Sequence, residues 1–234
     1  MKIGFDISDL STGRADGTTR YTYELAKRLP ILAPEHKWLF FSPGNPTTTY
    51  NLVPPSEASC EGGQPTTSKL IMSPWPKYWT QLRLPWDLYK HRPDVLFMPI
   101  QQIPYLLPPR TKTVSTFHDL AVHLYPHQFL FKDWLLLHTF SASAARHASK
   151  IIAVSQSTAN DISHYYGRTE QIYTIHHGLD TSIFHLPTAE QKAIQQTQIR
   201  QQYPPLSQPY LLYVGQLQPR KNISTARVAG KLPP

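Results

Sequence analysis

A single cysteine, Cys60, stands in the whole sequence, so no internal disulfide can form and burial with hydrogen bonding must hold the fold. That scarcity fits a reducing, cytosolic setting. No run of about 18 apolar residues occurs, so no membrane-spanning helix is expected. The opening segment MKIGFDISDL puts Asp6 and Asp9 where an export signal needs an apolar centre, and reads as a first strand instead. A G-x-G-x-x-G fingerprint is missing, and the second apolar run ends at Phe41-Ser42 without the acidic residue that holds a ribose, which disfavours a dinucleotide-dependent dehydrogenase. Zinc-finger spacing, RGG tracts and RNP-like strands are also missing, so no nucleic-acid partner is expected. Acidic side chains are few, 15 against 23 Lys and Arg, and the net charge of +8 favours anionic partners such as nucleotides, phosphorylated substrates or an acidic membrane face.

What the sequence does hold is a series of short apolar runs separated by amphipathic segments. The runs are KIGFDI (2–7), KWLFFS (37–42), KLIM (69–72), DVLFMP (94–99), KTVSTF (112–117), KIIAV (150–154), QIYTI (171–175) and YLLYV (210–214). Several are apolar at consecutive positions, as strands covered on both faces must be, which implies a parallel sheet between helical layers. Helical faces are readable as Tyr21, Leu25 and Leu29, as Leu136, Phe140, Ala144 and Ala148, and as Ala159, Ile162 and Tyr166. Ser155 is placed to cap that last helix and Gly167 to end it. The alternation predicts an α/β, Rossmann-like, doubly wound and mostly parallel sheet. Residues 43–68, rich in Pro, Gly, Ser and Thr, read as a long surface loop around Cys60. Residues 187–209 read as a polar helix closed by prolines, the composition of an inter-domain connection.

Four stretches could carry chemistry. In SDLSTGRADGTTRYTYEL, Gly17 precedes a helix beginning near Thr18, where free N–H groups and the positive end of the helix dipole can face an anion; an ordinary glycine-containing loop is the competing reading. In STFHDLAVHLYPHQF, His118 and Asp119 follow a buried strand, at the crevice where open parallel sheets bind ligands. A histidine there can bond a sugar hydroxyl or exchange a proton. Equally, Asp119 can cap the next turn and His118 can be a satisfied buried imidazole. His118, His123 and His127 invite a metal reading, but His123 and His127 flank a Tyr-Pro turn and lack helical support with His118, so a substrate site is preferred to zinc. Ser155 in AVSQSTANDI reads as a helix cap, and in IHHGLDTSIF Gly178 supplies a turn, Asp180 its side-chain bond, and His176-His177 filler. In YLLYVGQLQPRKN (210–222), Gly215 allows a close turn while Arg220 and Lys221 bring two cations to the mouth of a second sheet, where they could stabilise a departing diphosphate; a solvated basic turn is the alternative.

The order of these motifs, the Gly17 loop with RYTYELAKRL, then FHDL, IIAVSQSTANDI, IHHGLD and YVGQLQPRKN, resembles the retaining GT-B glycosyltransferases of the family-4 type. The resemblance runs from residue 1 to about 223. It implies two Rossmann-like domains across a cleft, with the acceptor held mainly by the N-terminal one and a nucleotide diphosphate sugar by the C-terminal one. It also implies that Gly17 approaches the donor phosphate, that His118 sits beside the transferred sugar, that Thr18 and Asp119 contact substrate, that Arg220 and Lys221 bind the diphosphate, and that no metal or other cofactor is needed. Relatives continue with an E-x7-E motif; here the text after Asn222 is ISTARVAGKLPP, Glu190 is the last acidic residue, and Gln216 stands where relatives often carry a small hydroxyl residue or Arg. The expected organisation is a GT-B N-terminal domain at 1–186, a linker at 187–209 and the truncated start of a donor-binding domain at 210–234. The expected function is sugar transfer to a glycan or lipid-linked acceptor, with an inactive fragment or acceptor-binding module as the alternative. A cytoplasmic placement with peripheral contact at the inner membrane face follows from the positive charge and the family's usual lipid-linked acceptors.

Overall fold

A computed structural model describes residues 1–14, 16–45, 68–73, 78–203, 213–215 and 221–223. Each of the seven apolar runs up to residue 175 contains a strand: β1 (Lys2–Asp6), β2 (Lys37–Ser42), β3 (Ser68–Met72), β4 (Val95–Met98), β5 (Lys112–Phe117), β6 (Lys150–Ala153) and β7 (Ile172–Thr174). Among the described residues six α-helices accompany them: α1 (Gly17–Leu32), α2 (Leu84–His91), α3 (Ala121–Leu124), α4 (Phe131–His147), α5 (Gln156–Tyr166) and α6 (Ala189–Gln202). The Cys60 loop, most of the 210–214 run, Gln216, Arg220 and the final residues lie outside the described set. By contact, the chain divides into two units, Met1–His177 and Gly178–Pro234.

In the first unit the strands lie in the order β3-β2-β1-β4-β5-β6-β7 and every pairing is parallel. This is the Rossmann-like doubly wound sheet that the continuous apolar runs predicted. The chain winds outward from β1 through β2 to β3, then returns to the other side of β1 as β4, pairing Ile3 with Val95. That reversal makes β1 and β4 the switch point, where the loops leaving the two strands diverge and open a crevice.

The double burial is visible along β2: Trp38 and Phe40 enter one apolar cluster, Leu39 and Phe41 the other. On one face Phe5, Phe40 and Phe97 pack with Ala26 of α1, the Phe5 and Phe97 rings meeting edge to face at 4.8 Å. Full burial of a side chain such as Phe5 contributes about 1.5–3 kcal/mol. On the other face Leu84 and Leu88 of α2, Ala144 and Ala145 of α4, and Ala159 and Ile162 of α5 cover the sheet. Gly4 of β1 is required by close approach: a Cβ there would stand 2.9 Å from Phe41 Cε2 and 3.2 Å from Pro93 Cγ.

Two helical faces differ from expectation. In α1 the deepest positions are Thr19, Thr22, Ala26 and Pro30, with Tyr21, Leu25 and Leu29 only half-buried. Small residues at the centre let the helix lie close to the sheet, and the larger ones flank it. In α4 the buried stripe is Ser141, Ala142, Ala144 and Ala145, whereas Leu136 is 52% exposed. The sequence did not announce α2, because Pro85 sits in its body; at the first turn of the helix the missing N–H costs nothing. Ser155 does accept the Thr158 N–H as the cap of α5, and Gly167 closes it at φ 68°.

In the second unit α6 is the polar helix expected after residue 187. Thr188 and Gln191 form a reciprocal capping box, and none of its residues is buried. Asp180 accepts from the Ser182 N–H and hydroxyl, as its turn predicted. Among the described residues no helix is long and apolar enough to cross a membrane.

Candidate functional site

The switch point holds a cavity of about 250 Å3. Asp9, Thr12, Arg14 and Asp16 enter it from the segment joining β1 to α1, Thr18 and Thr19 from the first turn of α1, Ile100, Gln101 and Gln102 from the loop after β4, and Leu137, Phe140 and Ser141 from α4. Local chemistry fixes the first of these elements. Asp16 caps α1, its Oδ1 accepting from the Thr19 N–H at 3.0 Å and from the Thr18 and Thr19 hydroxyls at 2.7 and 2.9 Å. Burial alone would raise the Asp16 carboxyl, but these donors and Arg14 outweigh it and hold it below its ordinary value. Asp9 goes the other way: burial pushes its carboxyl up, helped by the charge of Asp16, while Arg14 opposes.

His118 adjoins this cavity. Gln101 accepts the His118 N–H at 3.5 Å and donates to the Asp119 carbonyl at 3.3 Å, so one lining residue grips the loop after β5. The His118 ring is half-buried, with Nε2 at 2.7 Å from the Pro99 carbonyl. A carbonyl only accepts, so Nε2 carries the proton and Nδ1 presents the lone pair. Two rings enclose it: Tyr21 of α1 stands edge-on at 5.1 Å, and His177 stacks face to face at 5.4 Å. Tyr21 is also edge-on to His177, and its hydroxyl meets Thr116 Oγ1 at 3.3 Å. Burial lowers the His118 pKa, the Pro99 carbonyl opposes, and His177 lowers it further, so the ring is neutral near pH 7. The assembly can therefore offer a neutral imidazole acceptor beside a polar cavity.

Of the residues singled out from sequence, Thr18, His118 and Asp119 come to this one corner. Asp119 is exposed, and its Oδ1 accepts the Ala121 N–H at 3.1 Å, which is the turn-capping geometry. Gly17 opens α1 with free space around its Cα, next to a first turn whose Thr19 and Arg20 N–H groups are taken by Asp16. Lys221 is exposed and belongs to the second unit, and Arg220 lies outside the described residues. His123 faces elsewhere, stacked on Tyr165 with Nε2 at 2.9 Å from the Tyr166 hydroxyl. Among the described residues no three histidines, cysteines or carboxylates converge as metal ligands.

Sequence reasoning passed over Tyr21, His177, Gln101, Asp9 and Asp16. Asp16 carried a signal, an acidic residue three positions before Thr19 at a helix start. His177 lay within the IHHGLD motif but was read as turn filler, and for Gln101 there was no signal, because the strand order and loop folds that bring it to His118 are not written locally.

Residues 15–183 match the family model for Glycosyltransferase Family 4. Similar solved structures are those of Anabaena Alr3699/HepE. The complex with UDP-glucose gives a TM-score of 0.52 at 17% identity, and the complex with UDP and glucose 0.52 at 18%. The complex with UDP gives 0.50 at 16%. In each case the match covers 87% of this chain and 50% of the other, so the chain spans about half the length of those structures, and at that identity the likeness is one of fold. No curated protein matches the chain. The matched segment contains the α1 cap, the His118 corner and the cavity lining from Asp16 onward, with Asp9, Thr12 and Arg14 just ahead of it, and by that match the chain belongs to glycosyltransferase family 4.

Proposed function

We propose that this chain is the acceptor-side part of a glycosyltransferase that moves a sugar from a nucleotide diphosphate donor to a glycan or lipid-linked acceptor, retaining the anomeric configuration without a metal. The observation that carries the reading is His118: a neutral imidazole, oriented by Pro99 and walled by Tyr21 and His177, at the open end of a switch-point sheet in a family-4 chain. In the transfer an acceptor oxygen bonds to the anomeric carbon as the bond to the diphosphate oxygen breaks. The nucleotide diphosphate leaves with the electron pair, and the acceptor's proton passes to the departing phosphate. His118 would accept a hydrogen bond from a hydroxyl of the transferred sugar and hold it in register. Gly17 would border the donor phosphate, Thr18 and Asp119 would contact substrate, and Arg220 with Lys221 would stabilise the diphosphate charge. On this reading residues 1–186 form the acceptor domain, 187–209 the connection and 210–234 the start of the donor domain.

The alternative is an acceptor-binding module, a role for which the switch-point cavity would suffice by itself. Calorimetry of the 234-residue chain with UDP-glucose tests what the two share: micromolar binding would place the donor site in this chain and sink the acceptor-side assignment. In a version extended by a donor-binding half, labelled sugar should reach a saccharide or polyprenyl-phosphate acceptor in the presence of EDTA. His118→Ala should then cut kcat by about 100-fold or more; unchanged kcat would remove His118 from the mechanism. Cytoplasmic placement with peripheral membrane contact belongs to the same proposal, supported by the exposed Leu130, Phe131 and Leu136 at the start of α4, and vesicle co-sedimentation tests it.

A further inference from the structure

We propose that the switch-point cavity binds an uncharged, hydroxyl-bearing sugar unit through the carboxylates of Asp9 and Asp16, against an apolar wall of Leu137 and Phe140. This rests on the glycosyl-transfer reading and names the part of the acceptor that the chain would recognise.

Charge argues first. The chain carries a net charge of +8, yet among the described residues the charged side chains lining this cavity are two carboxylates and one guanidinium. A phosphate or carboxylate group entering here would face Asp9 and Asp16 together, with Arg14 already near both. An ionised carboxylate has two oxygens that only accept, and adjacent sugar hydroxyls are the donors that suit them.

The state of the two acids argues second. All the capping bonds of Asp16 converge on Oδ1, so its Oδ2 keeps lone pairs for a ligand. Asp9 is half-buried, and its carboxylate makes no side-chain hydrogen bond among the described residues. Such a group is costly unless something donates to it.

Shape and position complete the case. At about 250 Å3 the cavity falls just under the range of roughly 300–1,000 Å3 usual for small-molecule pockets, room for one sugar unit and not for an extended chain. Leu137 and Phe140 offer carbon surface to the C–H face of a pyranose. Gln101 ties the cavity to the backbone of His118 and Asp119, so a unit held here lies beside the histidine.

The test is saturation-transfer NMR on the 234-residue chain with the methyl glycosides of glucose, galactose and mannose and with N-acetylglucosamine. Inorganic phosphate is followed in parallel by phosphorus NMR. At least one neutral glycoside should bind, with affinity falling about tenfold or more in Asp9→Asn and in Phe140→Ala. Asp16→Asn should weaken it as well while keeping the α1 cap, since asparagine caps as well as aspartate. If no neutral glycoside binds, or if binding survives all three substitutions, the proposal is overturned. Phosphate binding that depends on Arg14, lost in Arg14→Gln, would overturn it in favour of an anionic acceptor. No donor takes part, so the two readings fail separately. Absent glycoside binding with intact transfer in the extended protein would sink only this proposal, whereas glycoside binding without transfer would sink only the enzymatic one.

Discussion

The imidazoles of His118 and His177 lie face to face, their planes 12° apart, from two different βα loops, and both rings meet the edge of Tyr21. Two protonated imidazoles cannot share that spacing cheaply, so His177 disfavours charge on His118. His177→Ala removes a neighbouring charge and uncovers the His118 ring, and both changes raise the His118 pKa toward its ordinary 6.5. An NMR titration of the His118 ring protons should show the upward movement. His177→Phe keeps the cover and should move it less.

Asp6 ends β1 buried to 1% exposure, accepting from Trp79 Nε1 at 2.9 Å and from the Ser8 hydroxyl at 3.0 Å. Burial pushes its carboxyl up to about 7, against these donors. Above pH 7 the folded chain bears the full cost of a buried charge. As pH falls toward 3.8 the folded form takes up a proton that the unfolded form does not, and the cost is relieved. Asp6→Asn, which keeps the Trp79 acceptor, should therefore be more stable than the parent at pH 8, and the gap in Tm should close as pH approaches 4.

Gly4→Ala should destabilise by about 1–3 kcal/mol, because the new methyl meets the Phe41 ring and the Pro93 ring, both held within packed surroundings. Urea unfolding is the measurement. Gly17→Ala, with open space at its Cα, serves as the control and should change stability by less than about 1 kcal/mol.

Arg168 closes the C-terminus of α4. Its Nη1 donates to the carbonyls of Ala145 at 3.1 Å and Ala148 at 2.7 Å, and Nη2 donates to Ser149 at 3.3 Å. Lysine has the charge without the planar fork, so Arg168→Lys should still lose about 1–3 kcal/mol. At roughly 2–4 °C per kcal/mol the drop is readable by thermal melts.

The sheet was legible because its strands are buried on both faces, so Phe40-Phe41 and Ile151-Ile152 needed no alternation to be recognised. Helix faces were less so. A reader of the sequence credits Leu136 with burial because it is apolar, but α4 meets the sheet through alanines, whose size lets the backbones approach while the leucines remain outside. His118 could be placed at the crevice from the strand before it, since position after a strand is local. The cavity could not. It exists because β4 returns to the far side of β1, a fact about strand order, and its lining comes from four segments spread over residues 9–141. Asp119 illustrates the converse: the simple turn cap, one of two readings open from sequence, is the geometry found.

The pairing of Ile3 with Val95 also sets a schedule. β1 is the first strand made, yet one of its two sides stays open until residues 95–98 leave the ribosome. At about 5–20 residues per second that wait is roughly 5–20 s, during which Phe5 lacks Phe97 as a packing partner. Slow codons or a paused ribosome between β2 and β4 would lengthen the exposure of that open strand edge. Yield of the native chain should thus depend on the tempo of its translation as well as on its final stability.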